Sequence, residues 1–175
     1  MNYKLNLQLK KEDHEYMKNF ALKNYKKSFI SNGVGRYFYK LSKREEQRDF
    51  ALTICNEKMH EIGIKNWKEE PLDGTFIGVN QENAFVHKHK DKAEETKCHL
   101  RLNFMIQKPT GGGMPIVDGK QIDVEEGECW INLASLWEHS STPVVGIKER
   151  IVLSIGTLVS LNDSFINNFL VNSKK

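Results

Sequence analysis

At about residue 75 the spacing of apolar residues along this chain changes from three-to-four to two. A period near 3.6 marks a helix that buries one face, and a period of two marks a strand that does the same. Before the change, Tyr16, Met17, Phe20, Ala21 and Tyr25 would share one face of a helix over 12–27. Ser42, with Glu45 three residues on, forms a capping-box pattern that opens a second helix. Its apolar face would be Phe50, Ala51, Ile54, Cys55 and Ile62, with Gly63 ending it. Residues 10–62 therefore read as a helical support region. After the change, the alternation predicts strands over 76–80, 84–89, 97–107, 114–117, 120–124, 128–133, 136–140 and 150–159. Asp118-Gly119 between two short strands is a tight-hairpin signal. Pro109 with Gly111-Gly112-Gly113 reads as a loop, and no helix follows it to make a phosphate cradle. A short helix over 163–171 closes the chain. Eight strands behind a helical segment predict a mainly β fold with flanking α: a small antiparallel barrel or sandwich with the N-terminal helices packed on one side.

The 175 residues are enough for one domain with a real core, and a 39 % hydrophobic, 28 % charged composition is that of a globular protein. No apolar run reaches membrane-spanning length, and the first residues lack the order of a signal peptide. Cys55, Cys98 and Cys129 are odd in number and widely spaced, which fits a reducing compartment and a cytoplasmic location. The net charge of +3 is small, and the lysine clusters read as solvated helix faces, which argues against a nucleic-acid partner. Oligomeric state is not legible.

Within the strand-rich half, His89-Lys90-Asp91 is followed by His139 and then by Arg150. Two imidazoles and a carboxylate are the ligands of a facial metal site that leaves open positions on iron(II). On a strand, His87, His89 and Asp91 would share one face. A solvated polar strand edge is the bland explanation for these residues taken singly. Arg150 enters an apolar strand, where a buried guanidinium needs an anionic partner, and Val152 and Ser154 share its face by parity. Along 97–107, Leu100, Leu102, Phe104 and Ile106 form an apolar face. His99, Arg101, Asn103 and Gln107 form a polar one, which either faces solvent or lines a pocket with Arg101 and Asn103 as donors. Trp137 shares parity with His139, though a packed core role fits a tryptophan better. A second metal register is open: His87, His89 and Glu94 with His139.

These residues resemble the iron(II)- and 2-oxoglutarate-dependent dioxygenases, whose core is a double-stranded β-helix of the jelly-roll or cupin-like kind. The likeness rests on His-x-Asp, a distal His and an Arg some ten residues later, and covers about 84–159. The stretch Thr96-Lys97-Cys98-His99-Leu100-Arg101-Leu102-Asn103, running on to Lys108-Pro109 and a Gly-rich loop, looks like the aspartyl/asparaginyl β-hydroxylase branch, as does Glu138-His139 followed by Arg150. Members of that branch can lack the carboxylate ligand, whereas Asp91 is present here, so prolyl hydroxylase-like members are equally admissible. The resemblance implies that His89, Asp91 and His139 bind iron(II) and form the catalytic centre. It implies that Arg150 binds the distal carboxylate of 2-oxoglutarate, that Arg101 is a further contact and that dioxygen is the oxidant; Asn103 and Ser154 are candidate donors from strand parity. The substrate would be an amino-acid side chain in a peptide, a free amino acid or another small molecule. The competing register resembles metal-binding cupins, without the glycine expected after Glu94. A non-catalytic binding module on the same barrel is the third reading.

Overall fold

In the computed structural model, which describes residues 3–71, 73–92 and 94–173, the chain opens with strand β1 (Lys4–Gln8) and helix α1 (Lys11–Ser28). Strands β2 (Ile30–Ser31) and β3 (Arg36–Lys40), helix α2 (Glu45–Glu61) and strands β4 (Trp67–Glu69), β5 (Phe76–Asn80) and β6 (Lys97–Gln107) follow. Next come β7 (Gly111–Gly112), β8 (Pro115–Val117), β9 (Lys120–Gln121) and β10 (Glu128–Leu133). The described chain ends with β11 (His139–Ser141), β12 (Val144–Val145), β13 (Arg150–Ser160) and helix α3 (Ser164–Ser173).

The long strands β6 and β13 pair antiparallel at the centre of an eight-stranded sheet of order β1-β10-β6-β13-β5-β3-β2, with β4 also on β13. Their alternation sorts side chains onto two faces. Leu100, Leu102, Phe104 and Ile106 of β6 lie on one face with Cys129, Ile131 and Leu133 of β10 and with Leu153 and Ile155 of β13, all buried. Met17, Ala21 and Tyr25 of α1 and Ala51, Ile54, Cys55 and Met59 of α2 belong to the same apolar cluster. Helix α1 contacts β3, β5, β6 and β13. The opposite, polar face of the sheet is turned into the fold. Arg101, Asn103, Asn132, Arg150 and Ser154 line a cavity closed on its far side by β8 and β11 of a small β11-β8-β9 sheet. That face is not exposed to solvent: Arg101, Asn103, Asn132, Arg150 and Ser154 are all buried, with the smaller sheet across the cavity from them.

The region read as helical support also contains strands. Arg36-Tyr37-Phe38-Tyr39-Lys40 is rich in aromatic β-formers and pairs along β5 from Arg36↔Asn80 to Lys40↔Phe76. Ser42 is not a helix cap: its Oγ accepts the Thr75 N–H at 3.2 Å, and Leu41–Lys43 is a 3-10 turn before α2. Gly63, at φ +81°, does close α2, donating its N–H to the His60 carbonyl. Gly111–Gly112 is a short strand on β12 rather than loop, and a side chain on Gly112 would strike the Pro143 carbonyl. Asp118 and Gly119 both have positive φ, as a two-residue primed turn between β8 and β9 requires. The expected strand over 84–89 is irregular because the Val86 N–H goes to the Ser141 hydroxyl instead of a carbonyl. Only a single bridge, His89↔His139, is left there. The strand expected over 136–140 starts late, since the Leu136 and Trp137 N–H groups turn back to the Leu133 carbonyl.

Charge is buried where the polar face meets β4. Glu70, 0 % exposed, accepts Arg101 Nη2 at 2.7 Å and the backbone N–H groups of Asp73 and Gly74 at 3.0 and 3.1 Å on the same oxygen. Gly156 pairs across the strands with Arg101. A Cβ there would sit 2.8 Å from Arg101 Nη1 and 2.7 Å from the Gly74 carbonyl, so glycine makes the room in which the guanidinium lies. Removing one partner of such a pair strands a buried charge. Glu70→Ala is expected to cost about 3–5 kcal/mol in urea denaturation. The Glu70→Ala/Arg101→Ala double variant should lose at least about 1 kcal/mol less than the two single losses added together. Strict additivity would show that the two charges are not coupled.

Candidate metal centre

His89 and His139 are set opposite one another by a reciprocal pair of backbone hydrogen bonds, His89 N–H to the His139 carbonyl at 3.1 Å and the reverse at 2.9 Å. Directly opposed residues project to one side, and the two rings lie with centroids 4.1 Å apart. In each, Nδ1 faces the carbonyl two residues earlier, His87 O at 2.7 Å for His89 and Trp137 O at 3.3 Å for His139. A carbonyl only accepts, so Nδ1 carries the proton and the Nε2 lone pair is free to ligate. Both Nε2 atoms face the same carboxylate oxygen, Asp91 Oδ1, at 3.6 and 3.8 Å. Asp91 is fixed by its own N–H, which donates to the Ala134 carbonyl at 2.9 Å. One ligand atom from each of the three lies within 4.8 Å of the others, and they could hold a metal ion. Burial, reinforced by the neighbouring His89, pulls the His139 pKa below its ordinary value and keeps the ring in the neutral form a metal requires.

The second oxygen of Asp91 is held from behind. Arg101 Nε donates to Asp91 Oδ2 at 3.3 Å while its other arm is on Glu70, and its guanidinium lies over the Phe76 ring. Arg101 thus braces a ligand, and both of its carboxylate contacts are within the chain. Ser154 Oγ is 3.5 Å from Arg101 Nη1. The buried His99 ring stands 3.9 Å from Asp91 Oδ2, with no hydrogen-bond partner at Nδ1.

From this centre a cavity of about 250 Å³ runs along β13 to Arg150. Arg150 is 7 % exposed, its Nε has no hydrogen-bond partner, and its guanidinium lies 5.7 Å from the centre of the Trp130 ring. Burial, with a smaller contribution from Arg36, pulls its pKa down to about 10, so it stays charged at neutral pH. Ser154 lies four residues further along the strand, about 13 Å away at the usual rise. Ser154 therefore belongs to the Arg101 end of the cavity. Asn103, paired with Ser154, and Asn132, paired with Arg101, line the cavity at that same end, and Asn132 Oδ1 has no partner.

The alternative register is not assembled. His87 is exposed and stacks edge-on against Phe85, while Glu94 is exposed and pairs with Lys97 at 4.0 Å. Trp137 packs on Tyr3 and Phe169, as a core tryptophan would. The three cysteines are free and buried, and burial raises the Cys55 and Cys98 thiols to about 11 and Cys129 further, so none supplies a thiolate nucleophile. Among the described residues no helix is long and apolar enough to cross a membrane. Sequence reasoning missed Glu70, Arg36, Asn80 and Asn132. Strand parity would have placed Asn80 and Asn132 on the cavity face once the sheet's orientation was known. Nothing in the local sequence marks Glu70.

No family model matches the chain. A stretch of 78 residues, 45 % of the chain, is 28 % identical to Caspase-1-A of Xenopus laevis, and the match spans 20 % of that protein. So short a segment carries no conclusion about the whole. Solved structures align over far more. A viral collagen prolyl hydroxylase from Paramecium Bursaria Chlorella virus-1, in complex with 2-oxoglutarate, covers 90 % of this chain and 97 % of its own, at TM-score 0.57 and 16 % identity. HygX from Streptomyces hygroscopicus, with nickel, 2-oxoglutarate and hygromycin B bound, covers 88 % and 81 % at TM-score 0.66 and 10 % identity. A Trichoplax adhaerens prolyl hydroxylase in complex with a hypoxia inducible factor peptide covers 86 % and 81 % at TM-score 0.59 and 14 % identity. With its helix-backed antiparallel sheet facing a smaller one, the chain has the jelly-roll fold of the 2-oxoglutarate- and iron(II)-dependent oxygenases.

Proposed function

We propose that this chain is an iron(II)- and 2-oxoglutarate-dependent dioxygenase that hydroxylates a peptide side chain or a small molecule. The observation that carries the reading is Arg150: a buried guanidinium with an unpaired Nε, in the same cavity as a preformed His-Asp-His cluster. An unpartnered buried cation is costly, and an anion brought into the cavity removes that cost. The donor set fits iron(II), since two neutral imidazoles and a carboxylate can occupy one face of the ion and leave the remaining positions open. When bound, iron(II) with 2-oxoglutarate and dioxygen supplies the oxidising chemistry, coupling decarboxylation to succinate with C–H hydroxylation.

The chain's own residues would bind and orient. His89, Asp91 and His139 would hold the ion, with Arg101 and Glu70 fixing the Asp91 carboxylate. Arg150 would take the far carboxylate of 2-oxoglutarate in two-pronged fashion, and Asn103 and Asn132 line the cavity at its Arg101 end. Trp130, Val152 and Phe76 line the same cavity and exclude water. The His89 side chain is 47 % exposed, so substrate would approach on that side. Metal and 2-oxoglutarate in solved structures of the same fold support the reading, as does the peptide held by one of them.

Anaerobic addition of iron(II) and 2-oxoglutarate should produce the weak visible charge-transfer band of the chelate, and admission of oxygen should release succinate. A wild-type protein without the band would overturn the assignment, whereas a band without succinate release would indicate a binding module. Asp91→Ala should abolish the band. Arg150→Ala should weaken 2-oxoglutarate binding about thirtyfold or more, the loss expected when one partner of a buried charge pair is removed. An unchanged affinity would remove Arg150 from its role.

A further inference from the structure

Arg150 shares its end of the cavity with a second cation. Arg36 of β3 pairs with Asn80 of β5, and Asn80 pairs with Arg150 of β13. Directly paired residues project to the same face, so the three side chains form a row across three strands, and all three line the cavity. Two strand spacings, about 10 Å at the backbone, separate the arginines, a gap that two long side chains can close on one small anion. Asn80 is 5 % exposed and its Nδ2 has no hydrogen-bond partner, the same condition as Arg150 Nε. Among the described residues no carboxylate forms an ion pair with either arginine. Burial lowers the Arg36 pKa, and the half-buried Arg36 in turn lowers that of the buried Arg150, so the two charges oppose each other.

Two like charges and an unpaired amide donor on one row are costly together, and one oxyanion satisfies all three. No hydroxyl of Arg150's own strand can assist there. Val152 has none, and Ser154 is engaged near Arg101. We propose that Arg36 and Asn80 share with Arg150 the distal carboxylate of the co-substrate, which is held between two guanidiniums above an amide donor. This rests on the reading of Arg150 as the co-substrate's anchor. It makes the far end of the cavity selective for a keto acid with a second carboxylate, and it gives β3, which lies outside the region of the sequence motif, a part in that selection.

Calorimetric titration of the anaerobic iron(II)-loaded protein separates the possibilities, with 2-oxoglutarate and 2-oxopentanoate as ligands. The second has the same chain length and no distal carboxylate. Arg36→Gln is expected to weaken 2-oxoglutarate binding about tenfold or more, the worth of a charge-assisted hydrogen bond, and to leave 2-oxopentanoate binding unchanged. Arg36→Lys should recover part of the loss, and Asn80→Ala should show a smaller loss of the same pattern. Equal 2-oxoglutarate affinity in Arg36→Gln and wild type overturns the inference while leaving Arg150 in place. A wild-type protein that binds both keto acids equally overturns the anchor reading and this inference with it. An equal loss for both ligands in Arg36→Gln assigns Arg36 to the shape of the cavity and overturns the shared grip.

Discussion

Arg101 stands between two carboxylates, Glu70 at 2.7 Å and Asp91 at 3.3 Å, and the arrangement of charge in the rest of the molecule follows from that position. One guanidinium against two carboxylates leaves this end of the cavity net negative, with the other oxygen of Asp91 facing the imidazoles of His89 and His139. The opposite end, with Arg150 and Arg36, is net positive. About 13 Å of strand separates Arg150 from the residue that touches Arg101. The cavity is therefore polarised along its length, and low-dielectric walls strengthen both ends. A divalent cation suits the first end and a carboxylate the second. A single ligand that chelates metal at one end and is anionic at the other would answer to both.

Strand parity puts Arg101 on the cavity face, yet its guanidinium is already engaged. Both carboxylate contacts of its guanidinium are within the chain, and Gly156 clears the space that lets it reach them. Arg150 shares the same burial and likewise has an aromatic face, but among the described residues no carboxylate forms an ion pair with it. Two arginines on one sheet face thus take different roles because of what other segments bring to them.

That distinction also sets how far the sequence could be read. Strands 76–80, 97–107 and 128–133 are legible to the residue, because each alternates strongly and ends at a turn or a polar cluster. The grouping of His89, Asp91 and His139 was legible from residue type and order. Parity told which face Ser154 is on but not which end of the cavity it reaches, since that depends on distance along the strand. The Ser42 capping pattern failed because its hydroxyl had a better use, accepting the Thr75 N–H from another segment. β3 was hidden inside a stretch dominated by two helical periods, and with it Arg36. Glu70 acts only through a partner 31 residues away, and no local pattern records such a contact.

A sheet whose polar face is internal must have its apolar face covered from outside, and here α1 and α2 contribute to that cover. Their apolar stripes and the row from Leu100 to Ile106 bury each other, and this burial stabilises the fold by about 25 cal/mol for each Å² of apolar surface removed from water. It offsets the cost of holding Arg101, Glu70, Arg150, Asn80, Asn103, Asn132 and Ser154 in the interior. The helices supply none of the three candidate ligands, yet a charged cavity is possible because they cover the apolar side of the sheet. Weakening the helix–sheet contact would thus threaten the site through the whole sheet, while changes at Arg150 or Arg36 alter the charge at one end of it alone.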